Sequence, residues 1–290
     1  MGILLGVATA FAWGSADFLA RFATRAVGNL RAVLGMQACG AAFVTMLLLF
    51  TRDWGHLFDR SGWQPWAWGI LAGAINTFAM LALYRSFEVG KLSLVGPVSA
   101  SYPILTVVLS AFSGERLSIY RALGIAAALL GVLLVATGEN SGSQRNEAEK
   151  PKGIAGLGWA IAAAFSFGIL FWLLGIRIIP RTGALPTVWL IRVTGTVISF
   201  CLVIAKNIPL RIKNKRTSAQ VYGMGYLDTA AFALSNLGMR LEQVAVISVL
   251  GSLYGAVTVA FAAIFLQERI ALLQWTGITA IFLGVALMSA

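Results

Sequence analysis

The chain has 290 residues, 59% of them hydrophobic and 11% charged, with a mean hydropathy of +0.83. That balance excludes a soluble globular domain and leaves a polytopic helical membrane protein, since only a helix satisfies all its backbone amides within one apolar segment. The net charge of +11, from 22 Lys and Arg against 11 Asp and Glu, would point to nucleic acid in a soluble chain; here the basic residues gather at segment ends, where they set orientation and meet membrane lipid, so nucleic acid is excluded as a partner.

Ten spans are predicted, at residues 3–20, 32–50, 65–84, 92–113, 119–137, 153–176, 184–205, 218–239, 244–267 and 271–289. Each is close to the ~20 residues needed to cross hydrocarbon. A transmembrane barrel would instead show short alternating segments. Ala8-Thr9-Ala10 in the first span looks like a signal-peptidase site, but no Lys or Arg precedes Arg21. The basic n-region of a signal peptide is missing, so the segment is read as a retained helix. Residues 138–152 are the longest stretch without an apolar cluster and form a polar linker between residues 1–137 and 153–290.

Those two parts are copies of one unit. At an offset of 153, Glu115, Arg116, Gly124, Ile125, Ala127, Leu130, Gly131, Val132 and Leu134 meet identical residues. At an offset of 154, Gly2, Ala8, Ala10, Phe11 and Gly14 do the same. At an offset of 152, Gly73 and Thr77 are repeated, and Asn76 meets Asp228. Five spans per copy is an odd number, so the copies must insert with opposite orientation, as an inverted repeat. Odd-numbered links carry 14 Lys and Arg against 7 in the even-numbered ones. The positive-inside rule then places both termini outside.

Several motifs now resemble a known family. Phe11-Ala12-Trp13-Gly14-Ser15 resembles the opening of EamA-type carriers of the drug/metabolite transporter superfamily. Ala82-Leu83-Tyr84-Arg85-Ser86, Pro97, Tyr102-Pro103, Gly114-Glu115-Arg116-Leu117-Ser118 and Gly131-Val132 resemble the end of its repeat, and Gln267-Glu268-Arg269 with Gly284-Val285 resemble it again. The resemblance covers nearly the whole chain. It implies an all-α membrane protein of ten helices in two inverted five-helix repeats, moving small metabolites, often as export, with both termini in the cytoplasm. That orientation is opposite to the one the charge count gives. The family is not one of enzymes.

Transport requires a polar site near the midplane, and ionisable residues within spans are its usual mark. Asp17 in the first span either binds a cationic group or a coupling proton, or pairs with Arg21 one turn on. Asp228 and its repeat partner Asn76 are central in their spans and are expected to face each other across the axis, as a substrate or proton site or as an interhelical hydrogen bond. Arg192 enters the seventh span by two turns; it holds a carboxylate or phosphate, pairs with Asp17 or Asp228, or snorkels to the interface. Trp13, Tyr102, Asn236 and Tyr254 are candidates to line the cavity. Tyr84 is a further cavity candidate, but it is read in preference, with Trp54, Trp63, Trp66 and Trp68, as part of an interfacial aromatic belt. Pro97 and Pro103 interrupt the fourth span, and Gly251 and Gly255 replace them in the ninth; these four are the candidate gating or hinge positions, with close packing the alternative for the glycines. Glu115-Arg116 and Glu268-Arg269 are expected to cap the helix that follows each.

Cys39 and Cys201 lie inside apolar runs and are read as free. His56 is solitary, so no metal site is expected, and no cofactor motif or nucleophile–base pair is present. The reading is a secondary transporter of small organic metabolites such as amino acids or amines, in the bacterial inner (plasma) membrane, with proton coupling through Asp228 or Asp17. A passive channel or facilitator is the alternative; a membrane-embedded enzyme or structural subunit comes third.

Overall fold

Apolar runs bounded by Gly and polar links fold as helices throughout the residues described by the computed structural model, namely 1–89, 98–137, 156–212, 214–266 and 272–289. Among these residues there is no strand. We number the helices α1 (Gly2–Val27), α2 (Asn29–Thr51), α3 (Gln64–Val89), α4 (Tyr102–Phe112), α5 (Ile119–Thr137), α6 (Leu157–Leu173), α7 (Ala184–Ala205), α8 (Lys215–Leu241), α9 (Val244–Ser252), α10 (Tyr254–Leu266) and α11 (Leu272–Ser289). The π-helical turn Leu174–Ile178 and a last turn Ile179–Thr182 prolong α6.

Five helical stretches are long and apolar enough to cross a membrane: Gly2–Val27, Asn29–Thr51, Gln64–Ser86, Leu157–Thr182 and Ala184–Ala205. Three of the other expected spans fall short for identifiable reasons. α8 has 27 residues but carries Lys215, Arg216, Asp228, Asn236 and Arg240 with scattered hydroxyls. The expected fourth and ninth spans are each broken. The described chain resumes at Val98 with one helical turn, bends at Ser101 and starts α4 at Tyr102. Pro103 sits in the first turn of α4, where its missing N–H costs nothing. The ninth span stops at Ser252 and restarts at Tyr254 around Leu253. Ser101 and Leu253 lie 152 residues apart, so the two breaks occupy repeat-equivalent positions. Pro97, the linker 138–152 and Glu268-Arg269 lie outside the described residues.

Sharp returns need backbone conformations open to glycine. Gly28, with φ of 80°, turns α1 into α2, and Gly183, with φ of 95°, turns α6 into α7. Each donates its N–H back to the helix it ends, to the Thr24 and Ile179 carbonyls at 2.8 and 2.9 Å. Asn214 starts α8 by accepting from the Arg216 N–H at 2.8 Å.

The closest helix pair is α5 with α11. A Cβ on Gly124 would lie 2.7 Å from the Gly284 carbonyl oxygen, and one on Gly131 would lie 2.6 Å from that of Gly277. Backbones therefore touch directly, as small residues in membrane helices allow. Gly124 pairs with Gly284 and Gly131 with Gly277, so the two helices run antiparallel. α1 packs on α8, α3 on α6 and α7, and α2 on α7. Trp189 donates to the Thr45 hydroxyl at 2.8 Å across the last of these contacts. Trp54, Phe58, Trp66 and Trp189 form an edge-to-face cluster at one end, and Trp63 is exposed beside it. Such a group of amphipathic rings suits the headgroup region.

Candidate functional site

The interior holds a guanidinium. Arg192, on α7, is fully buried. Its Nη1 donates to Gln37 Oε1 at 2.8 Å, and its Nη2 lies 2.5 Å from Asp228 Oδ2. The second contact is an ion pair whose angles do not make a hydrogen bond. The guanidinium carbon also sits 4.8 Å from the centre of the Phe232 ring, where the ring's negative face attracts a cation. Three helices thus converge: α2 brings Gln37, α7 brings Arg192, and α8 brings Asp228 and Phe232. Gly40 makes room for the arginine, since a Cβ there would lie 3.0 Å from Arg192 Cδ.

Burying both charges is costly, and their attraction compensates only when geometry and further hydrogen bonds are good. Here several buried polar atoms have no hydrogen-bond partner in the protein: Gln37 Nε2, Arg192 Nε, Asp228 Oδ2 (which has only the ion pair), Thr229 Oγ1 and both side-chain polar atoms of Asn76. Unpaired polar atoms at such depth mark a functional centre more often than a purely structural one. Snorkelling of Arg192 is overturned by its complete burial.

Asp17 on α1 lies within electrostatic reach of Asp228 and of Tyr254. Tyr84 is buried within reach of Asp17, Asp228 and Arg192. The expectation of an interfacial Tyr84 is therefore corrected: α3 runs on to Val89, so Tyr84 lies more than one turn inside its end and its ring is buried near the charged centre. Asn76 is fully buried on α3 but does not hydrogen bond with Asp228. The arginine has taken that place, because a carboxylate inside lipid is satisfied better by a cation than by an amide. Asn236 donates to the Ala184 carbonyl at 3.1 Å and ties α8 to the start of α7.

Beside the charges stands an aromatic wall. Trp13 makes edge-on contacts with Phe171, Phe232 and Tyr254, with centroids 5.6, 5.3 and 6.5 Å away. Tyr102 stacks on Phe171 at 5.2 Å and donates to the Ser248 carbonyl at 3.3 Å. Gly251 packs under Trp13, with 2.9 Å left for an added Cβ, whereas Gly255 faces open space. The two glycines therefore do not form one packing pair, because the break at Leu253 separates them. The residues that sequence reasoning missed are Gln37, Phe171 and Phe232; the two phenylalanines stand in apolar runs with nothing to distinguish them, whereas the polar amide of Gln37 within an apolar run was the signal that could have found it.

A second polar knot lies at the end of the bundle where the chain begins. Glu115 does not cap α5, as its position suggested. Its Oε1 and Oε2 accept the Val244 and Ala245 N–H groups at 2.8 and 3.2 Å, capping α9 instead. The first-turn amides of α9 are buried and need acceptors, and a carboxylate suits the positive N-terminal end of a helix. Arg121 donates to Glu242 Oε1 at 2.6 Å and to Gln243 Oε1 at 2.9 Å, and Gln243 Nε2 donates to the Arg116 carbonyl at 2.9 Å.

Membrane-length helices around a buried, paired charge and an aromatic wall define a polytopic integral membrane protein with a polar centre. The sequence profile of the EamA-like transporter family matches residues 1–137 and again residues 154–290. The chain belongs to that family, and so is a membrane transporter of the drug/metabolite transporter superfamily. Among curated proteins none matches. Solved structures share the fold: one crystal structure superposes with a TM-score of 0.80 at 18% identity, covering 99% of this chain and 95% of that one.

Proposed function

We propose that the protein is a secondary transporter of small organic metabolites (amino acids, amines or related solutes), working by alternating access and in the direction of export. In this reading residues 1–137 and 153–290 are inverted five-helix repeats, joined by a linker at 138–152, with ten spans in the bacterial inner membrane. The antiparallel contact of the repeat-equivalent helices α5 and α11 supports the inversion, as do the equivalent breaks at Ser101 and Leu253. The observation that carries the function is the buried Arg192–Asp228 pair, with polar valences left over. Asp228 and Asp17 offer anionic oxygens to an amine, Arg192 offers a fork to a carboxylate, and Trp13 and Tyr102 present flat faces to an apolar body. Exchange of a proton for substrate on Asp228 or Asp17 would couple the two fluxes.

The test begins with the purified protein and a thermal-shift screen of amino acids, nucleosides, sugars and amines, because a ligand that binds only the folded state raises the melting temperature. Solutes that shift it are then followed in proteoliposomes with and without a pH gradient. Accumulation against a gradient supports coupled transport. Equilibration without accumulation indicates a facilitator, and no movement of any stabilising solute refutes the proposal.

A further inference from the structure

We propose that Glu115, Arg121, Glu242 and Gln243 form a gate that closes the transport path on the face where the chain begins, a proposal that rests on the transporter reading above. The knot lies at that face because a Cβ on Gly2 would come within 2.6 Å of Glu242 Cβ. The bonds of Glu115 and Arg121, and that of Gln243 Nε2 to the Arg116 carbonyl, all cross between the two family repeats. Glu115, Arg116 and Arg121 belong to the first, and residues 242–245 to the second. Arg121 and Glu242 are mostly buried, with side chains 27% and 17% exposed, and the Arg121–Glu242 pair is shorter and better shielded than an ordinary surface bridge.

The knot holds the tip of a helix that reaches the polar centre. All nine residues of α9 are buried. Glu115 grips its first two amides. Midway along it, the Ser248 carbonyl takes the Tyr102 hydroxyl, and near its far end Gly251 supports Trp13. The helix stops there, at the break before Tyr254. A short helix pinned at its outer end and jointed at its inner end swings as a unit when the pin is withdrawn. Its movement would carry the floor beneath Trp13 and Tyr102 with it, which joins opening of this mouth to the shape of the binding site.

Interactions present in one of two conformations shift the balance toward it, so the knot favours the conformation that is shut on its own face.

Accessibility of a thiol on α9 tests this without any solute, so it stands or falls apart from the transport assays. Ser248→Cys is placed in a Cys39→Ala/Cys201→Ala background, and a membrane-impermeant maleimide is applied to right-side-out and to inverted vesicles. Arg121→Gln is expected to speed labelling from the knot's face about tenfold, the lower end of what charge-assisted hydrogen bonds contribute, and to leave or slow labelling from the opposite face. The exchanged pair Arg121→Glu/Glu242→Arg is expected to return the rate toward that of the parent. An unchanged rate in Arg121→Gln, or an equal rise from both faces, overturns the gate. If Arg121→Gln does not fold, Glu242→Gln and the exchanged pair decide: fast labelling in the first with slow labelling in the second supports the gate, and equal rates in both overturn it.

Discussion

Asp228→Asn keeps the shape of the side chain and removes its charge, leaving Arg192 buried with only Gln37 and the Phe232 ring to hold it. Breaking a buried pair by removing one partner costs about 3–5 kcal/mol, most of it for the stranded charge. The Phe232 contact offsets up to about 2 kcal/mol of this, as desolvated cation–π contacts do. With the full offset a net loss of about 1–3 kcal/mol follows, or roughly 2–12 °C in melting temperature for a domain of this order of size. The companion variant Arg192→Met/Asp228→Leu removes both charges. Apolar replacement of a whole buried pair is often neutral, but Gln37 Oε1 then loses its donor, so about 1–3 kcal/mol is not recovered. Melting in detergent by intrinsic fluorescence gives the stabilities, and counterflow in proteoliposomes gives the activity. The double variant is expected to be at least as stable as Asp228→Asn and inactive. A double variant that still transports at the parental rate would show the pair to be a brace alone. A single variant that melts with the parent would mean that Arg192 is not buried as described.

Three further outcomes are expected. Glu115→Gln should lower the melting temperature, because α9 loses a charged cap over buried amides; caps contribute about 0.5–2 kcal/mol, and an unchanged melting curve would refute the cross-repeat cap. Gly131→Ala and Gly284→Ala should each cost about 1–3 kcal/mol by forcing touching backbones apart, whereas Gly255→Ala, which faces open space, should stay within about 0.5 kcal/mol of the parent; the same melting assay compares them. In the loop before α3, the Asp59 carboxyl is held down to about 2, first by the Ser61 hydroxyl and then by His56. Its depressed value means that the support it gives the loop is complete above the ordinary 3.8 and fades as pH falls through about 2. Ser61→Ala should therefore raise the titration midpoint of Asp59, followed by NMR of a carboxyl-labelled sample, and an unmoved midpoint would refute the hydroxyl's role.

Much of the architecture was readable because lipid imposes it. Apolar runs of fixed length follow from backbone groups that have no water to bond with, glycine returns from the positive φ that tight turns require, and the duplicated pattern from residues matched at fixed offsets. The pairing of Arg192 with Asp228 was among the readings for the same reason, since a charge at that depth needs a partner. What could not be read was geometry set by contact between distant segments. Glu115 stands immediately before α5, and its local position gave no sign that α9 would claim it. Phe171 and Phe232 differ in no visible way from their apolar neighbours, and Gln37, a polar side chain in an apolar run, was a signal not used. The break at Leu253 has no proline, and its flanking glycines suggested close packing or a hinge, not a stop. Tyr84 lay near a predicted boundary, and the extension of α3 past that boundary to Val89 drew it inward.

The concealment of α9 has a mechanical corollary. None of its side chains faces the acyl chains, so sliding or tilting it exchanges no hydrocarbon for headgroup. Thickness, curvature and tension of the bilayer act on a protein through the surface it shares with lipid, and this segment shares none. Its register answers only to the neighbouring protein, and lipid composition would reach it second-hand, through the outer helices that enclose it.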